Sequence, residues 1–168
     1  MKKIIFLLLI TAGALRAQTT LQHTWVFNPA GGTAVAPDGK PSVTVFVKPS
    51  CCPVTALEVT GNALEDKAQW IIIPLNMESA VLQKLSYSVN TSGRSHILQT
   101  RLLDMSWAGE SKVIFDQTGS QPGPLDLPDL KPQGALSLAI RLGIPGGDKL
   151  WIGPIRLTGY TTHKNLQP

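Results

Sequence analysis

Polar side chains with planar groups recur at alternate positions of this chain. Gln99 and Arg101 are two residues apart in "HILQTRLLD", so an extended backbone places both on one face. Arg141 stands opposite the apolar positions of "LSLAIRL", and Asn90 ends "LSYSVN". Amide and guanidinium groups can bond adjacent hydroxyls of a sugar ring, whereas an aromatic ring can stack on its apolar side. Trp107, in "DMSWAGES", is the aromatic residue that a loop presents most easily.

These residues predict one carbohydrate-binding surface, with Gln99 and Arg101 on a wet sheet face, Asn90 and Arg141 nearby, and Trp107 at the rim. A second interpretation stays open, because any antiparallel sheet with one exposed face carries polar residues at alternate positions. The face would then be structural or would recognise a protein. A cluster of aromatic and arginine side chains favours sugar, and a broad apolar patch favours a protein partner.

Hydrolytic chemistry needs a nucleophile beside a base, or two carboxylates across a cleft, and the sequence indicates neither. It has no G-x-S-x-G pattern, and its histidines are scattered: His23, His96 and His163. Acidic residues flank one predicted hairpin and are interpreted as solvated turn residues: Asp104, Glu110 and Asp116. We therefore predict no catalytic residue and no enzyme activity.

The segment "KPSCCPV" contains the only two cysteines, Cys51 and Cys52. Adjacent cysteines that bond to each other cannot join distant segments, and they lack the separated ligands of a structural zinc site. They also lack the two intervening residues of a redox Cys-X-X-Cys motif. Two outcomes stay open in an oxidising compartment: a strained disulfide between Cys51 and Cys52 that shapes a loop, or two thiols not bonded to each other. The disulfide is our prediction.

The N-terminal segment "MKKIIFLLLITAGALRA" has the layout of a secretory signal peptide, with two lysines, an apolar run and then small residues. The apolar run is too short to span a bilayer. Cleavage after Ala17 is preferred to cleavage after Ala14, which gives a signal peptide over 1–17 and a mature chain over 18–168. We expect a protein that is secreted, periplasmic or on the cell surface, without a membrane span after cleavage.

The charge balance argues against nucleic acid as a partner. The sequence has 15 Lys and Arg against 11 Asp and Glu, but the signal peptide takes away Lys2, Lys3 and Arg16, which leaves 12 against 11. The mature chain has no run of like charges and no basic stripe. The sequence does not reveal the oligomeric state.

Apolar residues alternate with polar ones through the mature chain, between clusters of Gly, Pro, Asn and Ser, and no long segment keeps helical spacing. The predicted strands are 23–27, 42–48, 55–60, 69–75, 83–90, 95–104, 112–115, 135–142 and 149–158. The Pro-rich stretch "GSQPGPLDLPDLKPQG" is predicted to be a long crossover or rim loop. So many half-buried strands predict an all-β, single-domain antiparallel sandwich or barrel.

The tryptophans divide between core and surface. Trp25 and Trp151 stand among apolar residues of the terminal strands and are predicted to lie in the core. Trp70 precedes "IIIP" and stays ambiguous. Phe46 falls on the face opposite Val45 and Val47, where it is either exposed or covered by a loop.

Several segments together resemble the jelly-roll carbohydrate-binding modules of secreted bacterial glycoside hydrolases, within the galactose-binding-like superfamily: "WVF", "GKPSVTVFV", "AQWIIIPLNMESAVLQKLSYSVNTSGRS", "ALSLAIRLG" and "KLWIGPIRLTGY". The resemblance covers nearly all of the mature chain. It implies a jelly-roll β-sandwich that binds polysaccharide without catalysis. The alternative is a structural or protein-interaction sandwich at the bacterial cell surface.

The resemblance also bears on two acidic positions. Gly153 follows Trp151-Ile152 where that family commonly has Asp, so the role of that acid is not carried over. A structural calcium ion is common in those modules, and Asp38 and Asp148 are conceivable ligands. No loop concentrates the six to eight oxygens that calcium takes, so we assign no metal residue and no other cofactor.

Overall fold

The structure, a computed structural model, describes residues 19–36, 42–48, 56–62, 67–77, 80–105, 110–119 and 123–163. Within these ranges the chain forms eleven strands and one 3₁₀ helix, Pro29–Gly31. The strands are β1 (Thr19–Phe27), β2 (Thr33–Val35), β3 (Val43–Lys48), β4 (Ala56–Gly61), β5 (Lys67–Leu75), β6 (Val81–Thr91), β7 (His96–Met105), β8 (Ser111–Thr118), β9 (Leu125–Leu130), β10 (Ala135–Ile144) and β11 (Lys149–His163). No helix among the described residues has the length and apolarity to cross a membrane.

The strands form two antiparallel sheets. One has five strands in the order β2-β5-β10-β7-β8. The other has six, with the path β3-β4-β11-β6-β9 and with β1 paired to β11. β4 and β1 share one edge of β11, because β4 pairs with 149–152 and β1 pairs with 155–163. The fold class predicted from the sequence is confirmed: an all-β antiparallel β-sandwich of jelly-roll type.

The core lies between the sheets and consists of alternate aliphatic residues, as the period of two along a strand requires. The wall from the five-stranded sheet includes Ile71, Ile73, Leu102, Leu138 and Ile140, all fully buried. The opposite wall includes Leu57, Val59, Leu85, Leu150 and Ile152, also fully buried. Each such side chain stabilises the fold by about 1.5–3 kcal/mol through burial.

One polar contact joins the two sheets inside this core. Tyr87 of β6 and Thr100 of β7 are both buried, and their hydroxyl oxygens are 2.6 Å apart. β6 and β7 are consecutive in the chain but belong to different sheets. The hydrogen bond therefore fixes the six-stranded sheet against the five-stranded one.

The Pro-rich stretch differs from its prediction as a loop. It contains β9, an edge strand that pairs with β6. Leu125 and Leu127 of β9 are buried, so this strand has a core side. Pro128 falls in the irregular part of the pairing, just before Asp129 with a φ of 46°. A proline is tolerated in such an edge strand because its missing N–H interrupts no regular ladder.

The side chain of Ser88 occupies the space beside the glycine at the position where the resembled modules commonly have Asp. Gly153 falls at an irregularity in the pairing of β11 with β6. A Cβ atom at Gly153 would collide with the hydroxyl of Ser88. A side chain at this position would therefore require the Ser88 hydroxyl to rotate away.

Several sequence predictions fall outside the described residues. They are the signal peptide over 1–17, the cysteine pair Cys51 and Cys52, and Trp107. The short strand β2 was not predicted, and β1, β8 and β11 extend beyond their predicted bounds.

Candidate functional site

The outer face of the five-stranded sheet brings together polar residues that the sequence predicts for a ligand. In the strand register, Arg141 of β10 lies between Gln99 of β7 and Trp70 of β5. Arg101 of β7 lies opposite Asp116 of β8. Residues directly opposite on neighbouring strands point to the same side of a sheet. We call these five residues the Arg101 face.

A carboxylate holds the polar side chains of the Arg101 face in place. Asp116 accepts a hydrogen bond from Gln99 Nε2 at 2.6 Å and one from Arg101 Nε at 3.0 Å. Arg101 Nη2 also lies 3.0 Å from Asp116 Oδ2. The bonds from Arg101 and then from Gln99 lower the pKa of Asp116, because they favour the ionised carboxylate. Gln99 and Arg101 are therefore oriented before a ligand arrives.

The guanidinium of Arg101 also lies over an aromatic ring. Its Cζ is 4.9 Å from the centroid of the Trp70 ring, which is cation–π distance. β10 runs between these two residues, and Ala139 of β10 lies opposite Arg101. Ala139 is only 2% exposed, although it points to the outer side. The small side chain allows Arg101 to reach across β10 to Trp70.

The groups of the Arg101 face suit hydrogen bonding to hydroxyls better than they suit catalysis. Arg101 has five N–H donors and uses only part of them for Asp116, and the carbonyl oxygen of the Gln99 amide can accept. Arg101 and Gln99 are half-buried, whereas Arg141 is exposed. Asp116 is occupied by both neighbours, so its chemistry is positioning rather than proton transfer.

Two residues of the predicted surface do not join the Arg101 face. Asn90 lies on β6 in the six-stranded sheet, opposite Trp151 of β11. The expectation that Asn90 is near Gln99 and Arg101 is therefore wrong, because a period of two assigns a face but not a sheet. Trp107 belongs to 106–109, outside the described residues, so its place at the rim stays a prediction.

Trp70 and Asp116 were not predicted as residues of the site. Trp70 alternates with Ile71 and Ile73, which are fully buried, so the alternation alone places the ring outside. The run of three isoleucines obscured this signal because Ile72, between them, is also apolar. Asp116 was interpreted as a solvated turn residue, but β8 extends past it to Thr118 and pairs it with Arg101.

Asp104 also departs from its prediction as a solvated turn residue. It is 8% exposed, and its two carboxylate oxygens accept hydrogen bonds from Gln133 N and Gly134 N, each at 2.7 Å. These bonds fix the turn between β9 and β10 to β7. Glu110, the third acid of the predicted hairpin, is exposed as expected.

The tryptophans of the terminal strands lie on different sides of the six-stranded sheet. Trp25 is partly buried and packs against the core, as predicted. Trp151 is on the outer side, where its Nε1 donates to Glu58 Oε2 at 2.7 Å. Its assignment to the core is wrong, because the neighbours Leu150 and Ile152 are the buried residues of β11. Phe46 is 57% exposed, so of the two predicted alternatives its side chain is exposed and not covered by a loop.

A metal site does not emerge from the part of the chain that the structure describes, where no three His, Cys, Asp or Glu side chains are grouped closely enough for an ion. Asp148 accepts a hydrogen bond from Arg94 N at 2.7 Å, so it fastens the turn after β6. Asp38 lies outside the described residues. A structural calcium stays a prediction without assigned ligands.

Comparison with known proteins gives a likeness of fold. The chain matches no family model and no curated protein. Among solved structures, a mutant family 29 carbohydrate-binding module complexed with cellulohexaose is 16% identical, with a TM-score of 0.41 over 82% of this chain and 91% of that chain. The module TmCBM61 in complex with β-1,4-galactotriose is 10% identical, with a TM-score of 0.44 over 81% of this chain and 91% of that chain.

A third similar structure comprises the CBM22-1 and GH10 modules of Clostridium thermocellum xylanase 10B complexed with xylohexaose. It is 14% identical, with a TM-score of 0.42 over 84% of this chain and 28% of that chain. The neighbours include carbohydrate-binding modules, the class that the sequence resembles. The fold is established by the hydrogen-bonded strands of the chain itself.

Proposed function

We propose that this chain is a non-catalytic carbohydrate-binding module whose binding surface is the Arg101 face. The observation that carries the proposal is the hydrogen-bonded array of Gln99, Arg101 and Asp116 beside Trp70. Vicinal hydroxyls of a sugar need donors and acceptors at fixed spacing, which a guanidinium paired with a carboxylate offers. Because the array is ordered in advance, binding does not have to immobilise these side chains.

Apolar surface beside the array supports the proposal. Trp70, Ile72 and Pro74 occupy alternate outward positions of β5, and none of them is buried. They form a row that β10, with Ala139 and Arg141 on its outer side, separates from the polar residues of β7 and β8. The C–H side of a sugar ring fits the apolar row and its hydroxyls fit the polar one. A polysaccharide lying across the strands would contact both rows.

A structural or protein-interaction role is the second candidate, and its signature would be one broad apolar patch. Besides the apolar row of β5, the large exposed apolar side chains among the described residues of this sheet are Val35, Met105 and Val113. Val35 lies opposite Trp70, whereas Met105 and Val113 lie at the other end of β7 and β8. The charged array separates them, and a polar centre of this kind favours sugar over a protein partner.

Export is part of the proposal. We infer that residues 1–17 are removed as a signal peptide and that the domain over 18–168 acts outside the cytoplasm, in the periplasm, at the cell surface or in the medium. β1 begins at Thr19, so cleavage after Ala17 leaves this strand complete. The mass of the exported protein is the measurement that tests this point.

Titration calorimetry tests the binding surface, after a glycan array has selected a ligand, with cellulohexaose, xylohexaose and β-1,4-galactotriose as the first candidates. Arg101→Ala is expected to weaken binding about tenfold or more, because a charge-assisted hydrogen bond contributes about 1.5–3 kcal/mol. Trp70→Ala removes apolar surface and the support of Arg101, and weakens binding as well. Trp107→Ala should cost about 1–3 kcal/mol if its ring stacks at the rim.

Arg156→Ala is the matched control for Arg101→Ala, since Arg156 is an exposed arginine on the other sheet. It should bind like the parent protein, and all variants should keep nearly the parent melting temperature. If Arg101→Ala and Trp70→Ala both bind like the parent, the Arg101 face is not the site. If no glycan binds at all, the protein-interaction role takes the place of this proposal.

A further inference from the structure

The outer face of the six-stranded sheet carries a second group of aromatic and charged side chains. Phe46 of β3 lies opposite Glu58 of β4, and Glu58 lies opposite Trp151 of β11. Lys48 of β3 and Lys149 of β11 both reach Glu58. We call these five residues the Trp151 face. It is on the opposite side of the sandwich from the Arg101 face.

Glu58 is the shared hydrogen-bond acceptor of the Trp151 face. Its side chain is 10% exposed, yet it is charged and lies on the outer side of the sheet. It accepts hydrogen bonds from Lys149 Nζ at 2.7 Å, Trp151 Nε1 at 2.7 Å and Lys48 Nζ at 3.4 Å. The indole and both ammonium groups therefore converge on one carboxylate. This covers Glu58 and fixes the direction of the Trp151 ring.

The exposed charge of this face is positive. The side chains of Lys48 and Lys149 are 61% and 43% exposed, in contrast to the covered carboxylate of Glu58. Two ammonium groups share one carboxylate, which leaves an excess of one positive charge at the surface. Lys48 Nζ lies 6.0 Å from the centroid of the Trp151 ring, so the charge stands beside the aromatic surface. An approaching ligand meets ammonium groups first, and these attract an anion.

The aromatic residues have a spacing that fits a chain of sugar rings. Phe46 and Trp151 lie in one row across the sheet, two strands apart, which corresponds to about 10 Å. That distance is close to the length of a disaccharide. The Phe46 ring is 57% exposed, whereas Trp151 is half-buried. The two rings can contact sugar units that are not adjacent while the lysines contact a unit between them.

We propose that the Trp151 face is a second binding surface, specific for an anionic oligosaccharide whose sugar rings carry carboxylates. The rings of Phe46 and Trp151 stack on apolar sides of the sugars, and Lys48 and Lys149 bind the carboxylates. This site is independent of the Arg101 face and shares no residue with it. A chain with both sites would hold a neutral and an acidic glycan on opposite sides.

Single-stranded nucleic acid also combines negative charge with rings that stack, but it fits this surface less well. Its binding depends on several neutralised phosphates along a basic groove. The Trp151 face offers two lysines, one carboxylate and no arginine. Two lysines that share a carboxylate do not form such a groove.

Titration of the mature protein with an oligogalacturonate of about ten units tests the proposal, with the methyl ester of the same oligomer as the neutral control. The free acid is expected to bind, and the ester to bind about tenfold more weakly or not at all. Raising the salt from about 0.05 M to about 0.5 M should weaken binding of the acid markedly. Absence of binding, or equal binding of acid and ester, overturns the proposal.

Two variants localise the site without touching the buried carboxylate. Phe46→Ala should weaken binding about three- to tenfold, and Lys48→Gln about fivefold. The control for charge is Lys84→Gln, since Lys84 is an exposed lysine farther along the same sheet, beside Asp126. The control for the other face is Arg101→Ala, which should bind oligogalacturonate like the parent protein.

The outcomes separate this proposal from that for the Arg101 face. If Arg101→Ala abolishes binding of the acid while Phe46→Ala and Lys48→Gln do not, one site binds all glycans and the second surface does not exist. If an oligodeoxythymidylate competes as well as the acid does, the surface belongs to nucleic acid. If sedimentation detects a dimer that Phe46→Ala abolishes, the surface is an interface between two copies of the chain.

Discussion

Glu58 and Asp116 are carboxylates on opposite sides of the sandwich, and each aligns its neighbours in the same way. Glu58 binds Lys149 and Trp151, and Asp116 binds Arg101 and Gln99. In both cases cationic and planar donors share one carboxylate, which orders their long side chains before a ligand binds. Binding then costs less conformational entropy. Both carboxylates have a lowered pKa because these donors favour the ionised form.

We expect Glu58→Gln to change how the stability of the protein depends on pH. The bonds from Lys149 and then Trp151 lower the pKa of Glu58 from its ordinary 4.5 to about 2. A carboxyl group with a lowered pKa stabilises the folded state above pH 4.5 and loses this contribution as the pH falls toward 2. Glu58→Gln should therefore show a shallower fall in the free energy of unfolding over this range than the parent protein.

Urea unfolding at a series of pH values measures the two slopes. Glu110→Gln is the control, since Glu110 is exposed, and its slope should equal that of the parent. Equal slopes for the parent and for Glu58→Gln would show that folding does not lower the pKa of Glu58.

At the scale of strands, the regular elements were predictable and their partners were not. The predicted strand 135–142 corresponds to β10 at Ala135–Ile144, because large aliphatic residues occupy alternate positions of the sequence from Leu136 to Leu142. β9 was not predicted, because prolines are typical of loops. Pro122 and Pro124 precede this strand, and Pro128 lies within it. β2, at Thr33–Val35, is too short for a periodic pattern to reveal.

The same distinction applies to the candidate sites. Gln99, Arg101 and Arg141 were identified because a period of two separates outward from buried positions. Asn90 follows the same rule on β6, but the assignment of β6 to the other sheet depends on pairing between residues far apart in sequence. Glu58 was not identified, because only the pairing of β3, β4 and β11 brings its lysines to it.

The connection between β3 and β4 contains the adjacent cysteines, and its oxidation state is predicted together with export. We expect the exported protein to have the mass of residues 18–168 less two hydrogen atoms, which corresponds to cleavage after Ala17 and a disulfide between Cys51 and Cys52. Intact-mass measurement with and without reductant, followed by alkylation, determines both. Replacement of both cysteines by serine should cost little stability, because the bond closes a very small loop.

Two results would contradict this prediction separately. Alkylation of both thiols without reductant, in protein from its natural compartment, would exclude the disulfide. A mass that includes the first 17 residues would exclude cleavage of the signal peptide.

At the scale of the whole molecule, one core supports two surfaces that face away from each other. The outward residues of β5, β7, β8 and β10 form the Arg101 face, and those of β3, β4 and β11 form the Trp151 face. Neither surface contributes to the aliphatic layer between the sheets. Variants of surface residues should therefore change binding with little effect on stability, and variants between the sheets should do the reverse.

Tyr87→Phe tests this separation at the contact that joins the sheets. The substitution removes the hydroxyl that lies 2.6 Å from Thr100 Oγ1 but keeps the ring in the core, so no large cavity forms. We expect the free energy of unfolding to fall by about 1 kcal/mol, the usual contribution of one hydrogen bond. Affinity for the glycans should stay that of the parent. Tyr160→Phe is the matched control, because Tyr160 is a half-buried residue of β11 whose hydroxyl has no hydrogen bond among the described residues. Urea unfolding and calorimetry on the same preparations give both quantities.

Loss of glycan affinity in Tyr87→Phe at unchanged stability would contradict this separation. It would show that the alignment of the two sheets, and not only the outward side chains, determines binding.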